Sequence, residues 1–193
     1  MQHRGKLVFV RLFTGIAVPP EVTQKLSHVL ELLRPTAQIR WTPIYNLHVT
    51  TKFIGEWPEA RLQEVINALE PLSTRAQMTL EVSGIGWFPN PHSPRILFAA
   101  IKAPISLQEL AADTEAVLEK LGIAPESKSF RPHLTLARIK EPGTPLGPLR
   151  HAIAELESNS FGSFPVSGFS LYLSKVGPAG SIYTRLADIR FTQ

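Results

Sequence analysis

The chain has 193 residues, of which 44% are hydrophobic and 19% charged, with a formal net charge of +4. These proportions belong to an ordinary globular domain, and no apolar run approaches the roughly 20 residues that a membrane-spanning helix needs. Zero cysteines exclude disulfides and thiolate metal sites and fit a reducing cytoplasm, while the basic balance leans toward a polyanionic partner.

In chain order, the first six residues are basic and precede an apolar stretch, as a secretory leader would. Arg11 interrupts the stretch and no small-residue cleavage site follows, so Leu7 to Val18 reads as a first strand. After Pro19, Val22, Leu26, Val29, Leu30 and Leu33 form one apolar helical stripe. Leu47 to Phe53 reads as a strand, and Leu62, Val65, Ile66 and Leu69 mark a second helix. A strand near Met78 to Ile85 closes the first half. Pro89, Pro91 and Pro94 then punctuate a junction, so the boundary falls between Phe88 and Pro94.

The second half repeats this order. Ile96 to Ala103 is an apolar run ending at Pro104, and Leu107, Leu110, Ala111, Val117, Leu118 and Leu121 make the next stripe. Pro132 to Arg138 is a strand, Leu149, Ala152, Ile153 and Leu156 a helix, and Phe164 to Leu173 a closing strand. Ser181 to Phe191 alternates and is expected to pair back into a sheet. The chain is therefore two β-α-β-α-β units in tandem, about 7–88 and 94–175, in one bilobal domain.

The repeat carries the chemistry. His48-Val49-Thr50 and His133-Leu134-Thr135 lie 85 residues apart, and so do Pro19 and Pro104. A lone H-x-T means little in a chain with six histidines; two at equivalent positions of a duplicated frame mean more. On a strand, His and Thr two residues apart share a face. Strict alternation adds Lys52 to the face of His48 and Thr50, and Ala137 to that of His133 and Thr135. It sends Phe53 and Arg138 to the opposite faces. Packing the two units about a pseudo-twofold axis brings both pairs to one cleft, where two hydroxyls and two imidazoles can surround a phosphate. In-line displacement at phosphorus needs a base on one side and an acid on the other, and histidine serves as either near neutral pH. No Asp, Glu or Cys accompanies the histidines at metal-ligand spacing, so no metal is expected.

Asn46 to Glu56 and Phe130 to Arg138 closely resemble the paired signatures of the two-histidine (2H) phosphoesterases. The similarity is to the RNA 2′,3′-cyclic phosphodiesterase branch, historically called 2′-5′ RNA ligase. Arg11 to Ile16 followed by Pro19, and Phe169 to Ser174, resemble that branch as well, so the likeness covers nearly the whole chain. The resemblance implies an α+β bilobal fold with antiparallel sheets around a central cleft. It also implies hydrolysis of a terminal 2′,3′-cyclic phosphate to a 2′-phosphate, without metal or cofactor. His48 and His133 match the catalytic pair, as general acid and general base. Thr50 and Thr135 match the phosphate-binding hydroxyls, and Arg138 matches an arginine that supports the phosphate. At Thr14 relatives often carry an aromatic, which leaves this chain without a ring there to stack on a base. The expected partners are RNA ends or nucleotides bearing the cyclic phosphate, with no membrane, acted on by a cytoplasmic monomer. The alternatives are the same site run backward as a ligase, a noncatalytic RNA- or nucleotide-binding module, and a phosphoesterase for another small cyclic phosphate.

Overall fold

Pro19 and Pro104 set the frame of the fold. Each occupies the N-cap position of a long helix, α1 (Pro20–Leu33) and α3 (Ile105–Glu119), with its carbonyl accepting the first turn's N–H groups. A proline suits that place because the backbone N–H it lacks has no helical partner there. The computed structural model describes residues 7–178 and 180–192, and these form nine strands and four α-helices. The strands are β1 (Phe9–Ala17), β2 (Arg40–Trp41), β3 (His48–Pro58), β4 (Met78–Phe88), β5 (Ile96–Lys102), β6 (His133–Arg138), β7 (Ser160–Val166), β8 (Gly168–Gly177) and β9 (Gly180–Arg190). The shorter helices are α2 (Leu62–Leu69) and α4 (Gly147–Ala154).

All the strands join one antiparallel sheet in the order β7-β4-β5-β6-β3-β1-β8-β9, with β2 added beside β6. The spatial halves do not coincide with the sequence repeats. β4, the last strand of the first repeat, pairs with β5 and β7 of the second, and β8 crosses to pair with β1. The helices interleave too: α1 contacts β7 and α4, while α2 and β3 contact α3. Each half is thus completed by strands and helices of the other repeat.

The closing strand expected from Phe164 to Leu173 is two strands. It breaks at Ser167, so that β7 takes one outer edge of the sheet and β8 reaches the other half. The break is hard to read because both segments are apolar and Gly168 is the single marker between them.

Alternate strand residues supply the core. Leu12, Ile16, Val49, Leu97, Ala99, Leu134 and Leu171 are buried in one cluster with the helix stripes, such as Leu26, Leu30, Val65, Leu110 and Leu118. Burying each large aliphatic side chain contributes about 1.5–3 kcal/mol, so this face strongly fixes the strand register. The opposite face of the sheet is left for the site.

Candidate active site

β3 and β6 meet at the middle of the sheet and, among the described residues, pair at one position, Val49 with Leu134. Both residues are fully buried on the helix side. Extending that antiparallel register by one residue sets His48 opposite Thr135 and Thr50 opposite His133, all on the open face. Among the described residues the pairing of the two strands is confined to this one position, with the four side chains immediately flanking it. The arrangement is a crossed quartet, each histidine facing the threonine of the other repeat.

The two imidazoles are held alike. His48 Nδ1 lies 2.7 Å from the Asn46 carbonyl oxygen, and His133 Nδ1 lies 2.7 Å from that of Arg131. A carbonyl only accepts, so Nδ1 carries the proton in both rings and donates it to the backbone. Nε2 is left to the cleft, free to take a proton or, in the imidazolium, to give one. Desolvation lowers the pKa of both histidines below the usual 6.5 and outweighs the backbone bonds, which raise it. The Arg138 guanidinium lowers both further, and His133 lowers His48. One arginine therefore lies within electrostatic reach of both rings.

A β-bulge explains how Arg138 gets there. Between β5 and β6 the register shifts after Leu136, so Leu136 and Ala137 both turn to the core and Arg138 returns to the cleft beside Ile96. The same bulge occurs 85 residues earlier: β1 and β3 shift at Thr51, so Thr51 and Lys52 both face the helices and Phe53 emerges on the cleft side. These bulges correct strict alternation at four positions. Ala137 leaves the His133 face and Arg138 joins it. Lys52 leaves the His48 face and Phe53 joins it, 52% exposed.

Lys52 is instead 3% exposed, with Nζ 2.8 Å from Glu115 Oε1 and 2.9 Å from the Ala124 carbonyl. Glu115 also accepts the Glu126 N–H. Desolvation pushes the Glu115 carboxyl up, but the bonds from Lys52 and Glu126 win and hold it below its ordinary value. Thr51 satisfies its hydroxyl against Thr14, at 2.7 Å within the core.

Aromatic rings wall the cleft, and the sequence reading singled out none of them. On the β1 side Phe13 lies 4.7 Å from the His48 ring and stacks on Tyr172 at 5.1 Å, with Tyr183 edge-on to His48 at 5.2 Å. On the other side Phe88 and Phe98 stack at 4.1 Å, and both meet His133 edge-on. Thr14 points into the core, so Phe13 is the cleft-facing ring of β1. Two glycines make room. A Cβ at Gly15 would sit 3.3 Å from His48 Cδ2, and one at Gly86 would run into the Phe98 ring. Among the described residues, no group of three His, Asp or Glu is placed to share a metal ion.

The LigT-like phosphoesterase model matches the chain twice, over residues 16–98 and 101–183. Curated relatives include an RNA 2′,3′-cyclic phosphodiesterase of Methanothermobacter thermautotrophicus, 31% identical over 94% of this chain and 98% of the relative. Another, from Thermus thermophilus, is 33% identical over 92% of this chain and 88% of its own length. Among solved structures, the Thermus thermophilus protein TT0787 superposes with a TM-score of 0.77 at 31% identity, over 95% of this chain and all of that one. Escherichia coli LigT complexed with 3′-AMP shares the fold, with a TM-score of 0.80 at 23% identity over 96% of this chain and all of that one.

Proposed function

Because the chain belongs to the LigT-like phosphoesterase family, we propose that it opens terminal 2′,3′-cyclic phosphates of RNA by acid–base catalysis at His48 and His133. The crossed quartet of His48, Thr135, Thr50 and His133 on one open face is the observation that carries this reading. The phosphate sits over the quartet on the open face, and the Thr50 and Thr135 hydroxyls donate to its non-bridging oxygens. His133 Nε2 takes a proton from water as the water oxygen attacks phosphorus. The bond from phosphorus to O3′ breaks in line with that attack, and His48 Nε2 gives its proton to the departing O3′. The product is a 2′-phosphate with a free 3′-hydroxyl. Arg138 supports the charge that builds on the phosphate oxygens.

Burial has a consequence for the protonation states. In the free site both rings favour the neutral form, which suits a base but disfavours an acid. The anionic phosphate offsets this by raising the pKa of the ring beside it, so substrate binding itself loads the acid. The enzyme acts in the cytoplasm, as a monomer, on RNA ends. The test is incubation of EDTA-treated protein with an oligonucleotide ending in a 2′,3′-cyclic phosphate, with the product identified by phosphatase and nuclease digestion. A 2′-phosphate end is expected; no turnover, or turnover that needs an added divalent ion, overturns the reading.

A further inference from the structure

Two arginines stand side by side at one end of the cleft. β2 pairs with β6 through Arg40 opposite Arg138 and Trp41 opposite Ala137. Ala137 is buried on the helix side, so Arg40 and Arg138 share the cleft face. Like charges directly opposite on neighbouring strands destabilise a sheet, and a chain keeps such a pair at a cost unless an anion neutralises it. Among the described residues neither guanidinium has a carboxylate within 4.0 Å, and both side chains are exposed.

The position of the pair is set by the strands. Along the edge of β6, β3 ends at His48 opposite Thr135, and β2 takes over with Arg40 opposite Arg138. Arg40 therefore lies three β6 residues beyond the quartet, roughly 10 Å along the strand. Across the mouth, Gly180 at the start of β9 comes so near that a Cβ on it would lie 3.3 Å from Arg40 Nη2. Asn46 fixes this meeting: its side chain donates to the Ser181 carbonyl at 2.7 Å, while its own carbonyl holds His48. One buried residue thus sets both the acid and the approach of β9 to Arg40.

We propose that Arg40, beside Arg138, forms a subsite for a second phosphate of the substrate, the one on O5′ of the terminal nucleoside. In RNA this is the phosphodiester to the preceding nucleotide; in a mononucleotide it is a 5′-phosphate. The inference rests on the proposed function and deepens it. The quartet and Arg138 hold the reacting group, and Arg40 reads whether a chain continues from the other side of the sugar.

The test compares wild type and Arg40→Gln on cytidine 2′,3′-cyclic phosphate, its 5′-phosphorylated form, and a dinucleotide ending in the cyclic phosphate. Arg40→Gln is expected to raise KM for the last two relative to the first by roughly 2- to 5-fold, the upper part of the range of a solvent-exposed charge contact. The salt dependence of oligonucleotide binding should become shallower by about one unit of slope. An equal change on all three substrates, or none on any, overturns the subsite. Equilibrium binding of cytidine 3′-phosphate and cytidine 3′,5′-bisphosphate gives the same comparison without turnover. If wild type hydrolyses none of the three, the proposed function fails, and this binding difference alone decides the subsite: an Arg40-dependent preference for the bisphosphate supports it, and equal binding overturns it.

Discussion

The surroundings of His48 and His133 are two versions of one design. Each ring is tied by Nδ1 to the carbonyl two residues before it, each faces the other repeat's threonine, and each is followed three residues later by a bulge. The differences lie around this frame. Gly15 stands opposite Thr50, whereas Phe98 stands opposite Thr135. The residue that the bulge returns to the cleft is Phe53 in one repeat and Arg138 in the other. What the repeats share is what orients a histidine; what they do not share is charge and shape. Duplication thus supplies two imidazoles held alike, and divergence around them makes the cleft asymmetric enough for the proposed acid and base to differ.

The largest effect should come from removing either member of the shared design. His48→Ala and His133→Ala are each expected to lower kcat by at least roughly 10²-fold with unchanged circular dichroism, as for loss of a general acid or base. A folded His133→Ala protein with near wild-type turnover would break the equivalence. Arg138 exists in one repeat alone, and Arg138→Gln should lower kcat/KM by roughly 10-fold while Phe53→Leu leaves the chemical step in place. Steady-state kinetics on a cyclic mononucleotide reads both variants, and equal losses would mean that the asymmetry has no catalytic meaning.

Lys52 and its counterpart Ala137 differ as well, and the contrast predicts stability. Glu115→Gln removes the nearest carboxylate from a buried ammonium, leaving it the Ala124 carbonyl and the Glu126 carboxylate 3.9 Å away. It should cost about 1–3 kcal/mol in urea unfolding. Lys52→Met leaves behind a carboxylate that water reaches, Glu115 being 29% exposed, and should cost less. The reverse order would show that the ion pair does not govern this site.

A smaller effect concerns pH. The histidine pKa values are depressed in the folded protein, so below 6.5 the unfolded chain binds more protons. Their contribution to stability is therefore full above 6.5 and is lost as pH falls toward the folded values. The Tm of His48→Gln should fall less steeply over that acid window than the wild-type Tm. The acid limb of kcat/KM, which reports the free protein, should likewise lie below that of kcat, where bound phosphate raises the pair. Coincident limbs would contradict the argument that substrate loads the acid.

Much of this was legible because it repeats. The 85-residue offset, the capping prolines and the H-x-T pairs are local patterns, and local patterns survive in a sequence. The bulges were not, because periodicity assumes one residue per pleat and a bulge spends two. A trace of them exists in Leu136-Ala137, two successive core-compatible residues after Thr135, but Thr51-Lys52 hides the same trace behind polar side chains. Lys52 looked like a cleft residue because nothing local announces its partner Glu115, 63 residues away. The exchange of β4 and β8 between halves is likewise a long-range choice among strands of similar composition. The cleft rings Phe13, Phe88, Phe98, Tyr172 and Tyr183 come from five different strands and share no motif, so only the fold brings them together.

The central claim is that two equivalent histidines carry opposite roles, and leaving-group rescue tests it most directly. Wild type, His48→Ala and His133→Ala are compared in single turnover on a 2′,3′-cyclic phosphate and on a phosphodiester with a p-nitrophenolate leaving group. An acid is needed only when the departing oxygen must be protonated. The account predicts that the better leaving group restores much of the lost rate in His48→Ala and little in His133→Ala. Rescue confined to His133→Ala would reverse the assigned roles, and equal behaviour of the two variants would contradict a division into acid and base.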